Sequence, residues 1–148
     1  MTTVVFVEGP EDELSQQAVV MASSLGDDVE PVAIDGGDLG FAPAAWAQTL
    51  VDHAGTVGAM AIVAPGSERG NEVLAHVAAK LDQPMAANCT KVAAGTPATV
   101  TRVRWGGSLL EEAQLDGSPL LLTSAPHAVA AQPLASGFVR TAAASRSR

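Results

Sequence analysis

Short apolar runs alternate with amphipathic stretches along the first 90 residues. Residues 3–7 and 59–64 are almost entirely β-branched or apolar, which is typical of parallel strands covered on both faces. Stretches with apolar residues at helical spacing begin near Glu11, at Pro43 and at Asn71. Two shorter runs, residues 29–35 and 85–89, complete a regular alternation of strand and helix. The pattern predicts a mostly parallel sheet with helices on both faces.

The pattern changes after Cys89. Residues 98–105 alternate apolar and polar side chains, and the glycine pair at 106–107 then predicts a turn. Residues 108–115 fit a strand or a helical turn, and the preceding glycines favour the strand. With residues 119–123 as a further strand, this region is expected to be an antiparallel C-terminal extension of the sheet.

Length and composition favour one folded domain followed by a tail. The chain has 148 residues, of which 47% are apolar and 16% charged, so it is large and apolar enough to bury a core. Residues 128–148 are rich in Ala, Ser and Arg without patterning, which predicts a tail or linker after a domain at residues 1–127. Apolar runs are too short for a membrane span, which needs about 20 residues. The single Cys89 and an N-terminus without early basic residues favour the cytoplasm.

Charge is distributed unevenly. The net charge is −8, but residues 1–68 carry eleven acidic side chains and no Lys or Arg, whereas residues 69–148 carry five acidic and eight basic ones. An acidic total disfavours nucleic-acid binding, which depends on clustered Lys and Arg. The acidic half is expected either to orient a protein partner or to be a solvated surface.

Motifs that would identify an enzyme are absent from the sequence: there is no glycine-rich dinucleotide or P-loop fingerprint and no nucleophile elbow. Glu72 and His76 have the spacing of a helical ligand pair but lack a third ligand, so a solvated pair is favoured over a metal site. His53 and His127 have no evident partner in the sequence. Cys89 is expected to be a small buried hydrophobe.

Two places remain candidates for binding. The turn at residues 66–71 joins a central strand to a helix, where open α/β sheets bind ligands, and Arg69 adds a charge suited to phosphate or carboxylate. The second place is a strand on which two arginines share one face before the glycine pair. A structural turn and a charge-protected strand edge are the alternatives at the two places. The candidate binding residues are Gly66, Ser67, Arg69, Gly70, Asn71, Arg102, Arg104, Trp105 and Gly107.

These two places also carry a resemblance. Residues 62–92, IVAPGSERGNEVLAHVAAKLDQPMAANCTKV, and residues 102–108, RVRWGGS, resemble in order and spacing the N-terminal domain of electron transfer flavoprotein alpha subunits. The opening TVVFVEG and residues 121–126 fit as well, so the resemblance covers nearly all of the predicted folded part. The sequence departs from the family pattern at Ala75, Asn88, Val103 and Ala125. The resemblance is to the N-terminal domain alone, without the FAD-binding C-terminal domain of a full alpha subunit, and the chain is expected to be either a separate gene product or an excised piece.

The resemblance implies a three-layer α/β/α Rossmann-like fold of the adenine nucleotide alpha hydrolase type. It also implies a scaffold that does no chemistry alone, pairing with a beta subunit and an FAD-binding domain to pass electrons from acyl-CoA-type dehydrogenases. FAD would then be bound only in the assembled complex, AMP would belong to the beta-subunit partner, and the candidate residues would face the other domains or the flavin.

Two other functions compete with this interpretation. One is a stand-alone nucleotide-binding module resembling universal stress proteins, although residues 65–70 do not reproduce their glycine motif. The other is an enzyme of unfamiliar type, which would need a convergent acid and base that the sequence does not show.

Overall fold

One eight-stranded sheet organises the chain in the computed structural model, which describes residues 2–26, 28–37, 40–95, 97–104, 109–134 and 139–142. The elements in chain order are β1 Thr2–Val7, α1 Glu13–Ala22, β2 Asp28–Asp35, α2 Pro43–Val57, β3 Ala61–Pro65, α3 Glu68–Leu81, β4 Ala86–Ala93, β5 Ala98–Arg104, β6 Leu109–Leu115, β7 Leu120–Ser124 and β8 Val139–Ala142. The strand order is β6-β5-β4-β7-β3-β1-β2-β8. The predicted α/β fold is confirmed.

The core lies in two layers, one on each face of the sheet. Alternate residues of β1 point to opposite faces: Val4 and Phe6 pack with α2 and α3, whereas Val5 and Val7 pack with α1. All five residues of β3 are buried, as the apolar run predicted for a central strand. The structure therefore has the three layers expected from the sequence.

Helix boundaries follow local capping chemistry. The Asp12 side chain accepts a hydrogen bond from the Ser15 amide and begins α1. Pro43 occupies the first turn of α2, where its missing N–H costs nothing, and Gly58 ends that helix with a φ of 66°. The boundaries of α1 and α2 therefore depend on capping residues as well as on the apolar pattern.

The placement of β7 differs from the sequence prediction. Residues 119–123 were expected in the antiparallel extension, but β7 lies between β4 and β3 and is parallel to both. Leu121 and Leu122 are fully buried on opposite faces, which only a position between two helical layers provides. The prediction for this strand is therefore wrong.

The antiparallel extension is confirmed for β4, β5 and β6, and residues 109–115 form a strand rather than a helix. β4 is longer than predicted, and its register shifts on either side of Cys89, next to Asn88, which has a φ of 56°. These irregularities bury every third residue of β4, so that Ala86, Cys89 and Val92 all pack on the face that α1 covers.

The predicted tail contains a strand. Residues 128–148 were expected to hold no packed element, but Val139–Ala142 form β8, parallel to the second half of β2. Ala128 and Val129 also pack against the core. β8 begins opposite Val32, so Pro31, which has no N–H to donate, has no strand partner on that side among the described residues. The division at residue 127 itself stays a prediction.

Among the helices of the described residues, none is both long and apolar enough to cross a membrane.

Core burial generates a first testable prediction. Leu74 is fully buried on α3, whereas Leu110 on β6 is 70% exposed. We expect Leu74→Ala to lower the free energy of unfolding by about 2–5 kcal/mol because it leaves a cavity, and Leu110→Ala to change it by less than about 0.5 kcal/mol. Chemical denaturation of the two variants measures both changes. Equal losses would contradict the layered packing.

Candidate functional site

The carboxyl ends of β1, β3 and β7 meet at one edge of the sheet, and the turn after β3 lies among them. This turn holds five of the nine candidate residues. It leads into α3, which begins at Glu68 rather than at Asn71 as predicted, because Ser67 caps the helix. The Ser67 hydroxyl accepts a hydrogen bond of 3.0 Å from the Gly70 amide.

The same hydroxyl donates a hydrogen bond of 2.6 Å to Oε2 of Glu8, the residue that follows β1. Ser67 is therefore already bonded in both directions within the chain. The Glu8 carboxylate lies beside the positive end of the α3 dipole, the position that an anionic ligand prefers. A dinucleotide phosphate placed there would be repelled by Glu8, so the α3 N-terminus does not fit such a group.

Gly66 and Gly70 are required by close backbone approaches. A Cβ at Gly66 would collide with the carbonyl oxygen of Ser124 and lie 3.0 Å from Oδ1 of Asn88. A Cβ at Gly70 would collide with the carbonyl oxygen of Pro65. Both glycines therefore allow β3, β7 and α3 to pack closely, which is a structural role and leaves no cradle open at these positions.

Asn71 is held by a hydrogen-bond chain that sequence reasoning missed. The buried Thr123 hydroxyl donates to Oδ1 of Asn71 at 2.8 Å and accepts from the Asn88 amide at 2.8 Å. The chain links α3, β7 and β4. Thr123 lies within an apolar strand, and nothing in the sequence pattern marks it as a junction.

Arg69 is the exposed basic residue of the turn. Its guanidinium carbon lies 4.5 Å from the centre of the Phe41 ring, a cation–π contact. Phe41 packs edge-to-face on Trp46, with 5.0 Å between ring centres, and Trp46 packs in turn on Phe6 in the core. An aromatic row thus holds Arg69 at the rim, and Phe41 is a second residue that the sequence analysis did not single out.

The second candidate place is only partly described. Arg102 lies opposite Cys89 in β4 and is bound through Nη2 to Oε1 of Glu111 at 2.6 Å. Two strands, β4 and β7, lie between β5, which carries Arg102, and β3, which leads into the turn. The backbone of Arg104 continues β5, while Trp105 and Gly107 lie outside the described residues.

The histidines acquire partners that the sequence did not reveal. His53 Nε2 on α2 lies 2.9 Å from Oε2 of Glu30 on β2. His127 Nδ1 lies 3.3 Å from Nε2 of Gln17, whose Oε1 accepts from the His127 amide. The first contact joins α2 to β2, and the second joins the loop after β7 to α1. Within the described ranges no three His, Cys, Asp or Glu side chains gather as a metal site, and Glu72 with His76 gains no third ligand.

Cys89 is fully buried, as expected, and burial raises the pKa of its thiol to about 12, with the nearby Arg102 charge opposing the rise. The strand pairing brings Arg102 beside the thiol, a basic neighbour that is 13 positions away in sequence. The thiol is therefore unionised and shielded at neutral pH.

The family comparison agrees with this architecture. The model of a family described as electron transfer flavoprotein domain matches residues 3–147, nearly the whole chain. No curated protein matches the sequence.

Gly70 and Gly55 form a matched pair for testing the close approach at the turn. Both are helical glycines, but a Cβ at Gly55 would meet open space. We expect Gly70→Ala to destabilise the fold by about 1–3 kcal/mol through overpacking. Gly55→Ala should stabilise it by about 0.5–1 kcal/mol through helix propensity. Thermal and chemical denaturation would measure the two shifts, and a neutral Gly70→Ala would contradict the described contact.

The buried thiol gives a pH-dependent prediction. Because the pKa of Cys89 is about 12 in the folded chain and about 8.5 in an unfolded one, the unfolded state loses the thiol proton first. This contribution to stability is complete below pH 8.5 and is lost as the pH rises towards 12. The loss has a limiting slope of about 1.4 kcal/mol per pH unit. Denaturation at several alkaline pH values should show a steeper fall for the natural chain than for Cys89→Ala, and parallel curves would refute the assignment.

Proposed function

The chain belongs to the electron transfer flavoprotein domain family, and we propose that it acts as an alpha-subunit-like N-terminal domain. In this role it is a scaffold in electron transfer rather than a catalyst on its own. It pairs with a beta-subunit-like protein and presents a surface to a separate FAD-binding domain, in the cytoplasm. The electron donor is a dehydrogenase of the acyl-CoA type.

The observation that carries the proposal is the internal pairing at the start of α3. Ser67 is bonded to Gly70 and to Glu8, and Asn71 is bonded to Thr123. A turn in which the Ser67 and Asn71 side chains are already hydrogen-bonded within the chain, with a carboxylate at the helix N-terminus, suits a rigid docking surface better than a phosphate cradle. This supports a scaffold over the stand-alone nucleotide-binding module considered from the sequence.

Arg69 is the residue of the turn best suited to a partner. It is exposed, and its guanidinium stacks on Phe41 while making no ion pair with any residue of the described part. A cation–π contact uses the positive charge of the guanidinium and needs none of its N–H groups as hydrogen-bond donors. We propose that these donors bind a carboxylate or phosphate oxygen of the flavin-bearing domain.

We propose that the cofactors are bound mainly by the partners of this chain. FAD is held mainly by the separate domain and supplies the electron-accepting chemistry when bound, and AMP belongs to the beta-subunit-like partner. The residues of this chain that face the flavin-bearing domain are those of the turn after β3, with the segment from Arg102 to Gly107 as the second contact. Their contribution is charge and positioning.

We expect the purified chain to be colourless and to bind FAD, AMP and ATP weakly, because the Glu8 carboxylate lies at the N-terminus of α3, where a phosphate would otherwise be held. Affinity purification of the tagged full chain should recover a beta-subunit-like protein and an FAD-binding domain, with visible flavin absorbance only in the complex. Tight stoichiometric flavin or ATP binding by the chain alone would contradict the scaffold role.

A matched pair of charge reversals tests the docking surface. Arg69→Glu and Lys91→Glu change the net charge equally at exposed positions, but only Arg69 lies at the turn. We expect Arg69→Glu to weaken assembly at least roughly tenfold, the range of a lost charge-assisted hydrogen bond, and Lys91→Glu to leave it unchanged. Calorimetric titration with the recovered partners measures both. Equal effects would indicate that net charge alone matters.

A further inference from the structure

Two hollows adjoin at the amino ends of β3 and β7, the edge of the sheet opposite to the turn after β3. The first, of about 280 Å³, lies between the ends of α2 and α3. The second, of about 460 Å³, lies beside the start of β5 and the end of β6. Both are lined by Gly58, Ala59 and Ser118, so they form one groove, which we call the amino-edge groove.

The first hollow is apolar and recessed. Its lining also includes Val51, Ala54, Gly55, Ile62, Leu81 and Pro119. Ile62 is fully buried and Ala54 is 6% exposed, so the floor lies beneath the surface of the molecule. A Cβ at Gly55 would meet open space, because the small residues at the end of α2 leave this volume unfilled. Concave, mostly apolar hollows of about 300–1,000 Å³ are typical of small-molecule sites.

The recessed floor selects the kind of occupant. A thin hydrocarbon chain can enter between α2 and α3 and bury its surface there. A polypeptide backbone in the same place would lose the hydrogen bonds of its N–H and C=O groups to water. The first hollow therefore suits the aliphatic body of a small molecule better than a segment of another protein.

The surroundings of the groove are negative. α2 and α3 both end at the first hollow, where Gly58 and Leu81 line it, so the negative ends of two helix dipoles meet there. The exposed Asp82 follows α3, and the exposed Asp116 lines the second hollow. Among the described residues, no basic side chain lines either hollow. The complementary occupant therefore carries a positive charge.

We propose that the amino-edge groove binds a small aliphatic amine, with its hydrocarbon chain in the first hollow and its ammonium group beside Asp116. Burial of the chain provides affinity, and the charged contact selects a cation over a neutral or anionic molecule of the same length. The groove lies at the opposite edge of the sheet from the turn after β3, so this site and the proposed scaffold function can fail independently.

The probe is hexylamine, titrated into the isotope-labelled full chain while backbone amide shifts are followed by NMR. We expect saturable shifts centred on Gly55, Gly58 and Ser118. Hexanol should bind several times more weakly, and hexanoate more weakly still, because neither provides a cation. Shifts centred elsewhere, equal binding of the three compounds, or no saturation up to roughly 20 mM hexylamine would overturn the proposal.

Removal of one carboxylate tests the position of the ammonium group. Asp116→Ser should weaken hexylamine binding roughly three- to fivefold, the range of an exposed ion pair, and should leave hexanol binding unchanged. Glu72→Ser on α3 is the control, because Glu72 is also exposed and the change in net charge is identical. Equal weakening by the two variants would show that binding follows net charge and would contradict the site.

Filling the first hollow tests the position of the hydrocarbon chain. Gly55→Met places a side chain in the open space and should abolish binding of both hexylamine and hexanol. Butylamine, which is two methylene groups shorter, should bind the natural chain roughly fivefold more weakly or worse, and this comparison needs no variant to fold. Retained binding by Gly55→Met, or equal binding of the two amines, would overturn the proposal.

A blocked lysine distinguishes a free amine from the side chain of a partner protein. Acetyl-lysine amide carries the same ammonium group on a short aliphatic chain, but with a peptide backbone attached. We expect it to bind more weakly than hexylamine, because its amide groups cannot follow the chain into the recessed hollow. Tighter binding of acetyl-lysine amide would assign the groove to a partner's lysine and would overturn the proposal.

Discussion

The buried hydroxyl of Thr123 joins three elements at the carboxyl end of the sheet. It gives its proton to Asn71 on α3 and accepts from the Asn88 amide of β4. A fully buried hydroxyl is costly unless it is paired, so these two bonds fix α3 and the bend of β4 relative to β7. The close approach of Gly66 to Ser124 is possible only with that spacing. The shape of the turn therefore depends on an interaction remote from it in sequence.

Local sequence signals predicted the strands that are covered on both faces and the helices whose ends are marked by capping residues. β3 and the start of α2 were predicted closely, because an apolar run and a proline in the first helical turn are local signals. The positions of β7 and β8 were not predictable in this way. Both strands join the sheet through pairing with residues far away in sequence, and β8 is a four-residue strand in an Ala- and Ser-rich segment whose composition resembles a linker.

In the candidate site, too, the features with a local sequence signal were predicted and those formed by distant residues were not. The turn at residues 66–71 was located correctly relative to the sheet, since the carboxyl ends of parallel strands always share one edge. The Ser67 cap had a usable signal, a serine before an acidic first turn, which the sequence analysis did not use. Glu8 and Phe41 had none, because each contacts α3 only through the fold. Sequence therefore located the turn but not the contacts that determine its chemistry.

Electrostatics explains why Arg69 is distinctive. It is the first basic residue of the chain, after 68 residues that contain eleven acidic side chains. An arginine that follows so many acidic residues would be expected to form an ion pair. Instead, Glu8 is hydrogen-bonded to Ser67, and Arg69 contacts the Phe41 ring. Stacking holds the guanidinium in place without consuming its hydrogen-bond donors. The pairing of Glu8 with Ser67 and the contact of Arg69 with Phe41 therefore complement each other, since within the described residues Glu8 bonds to Ser67 and leaves Arg69 to the aromatic ring.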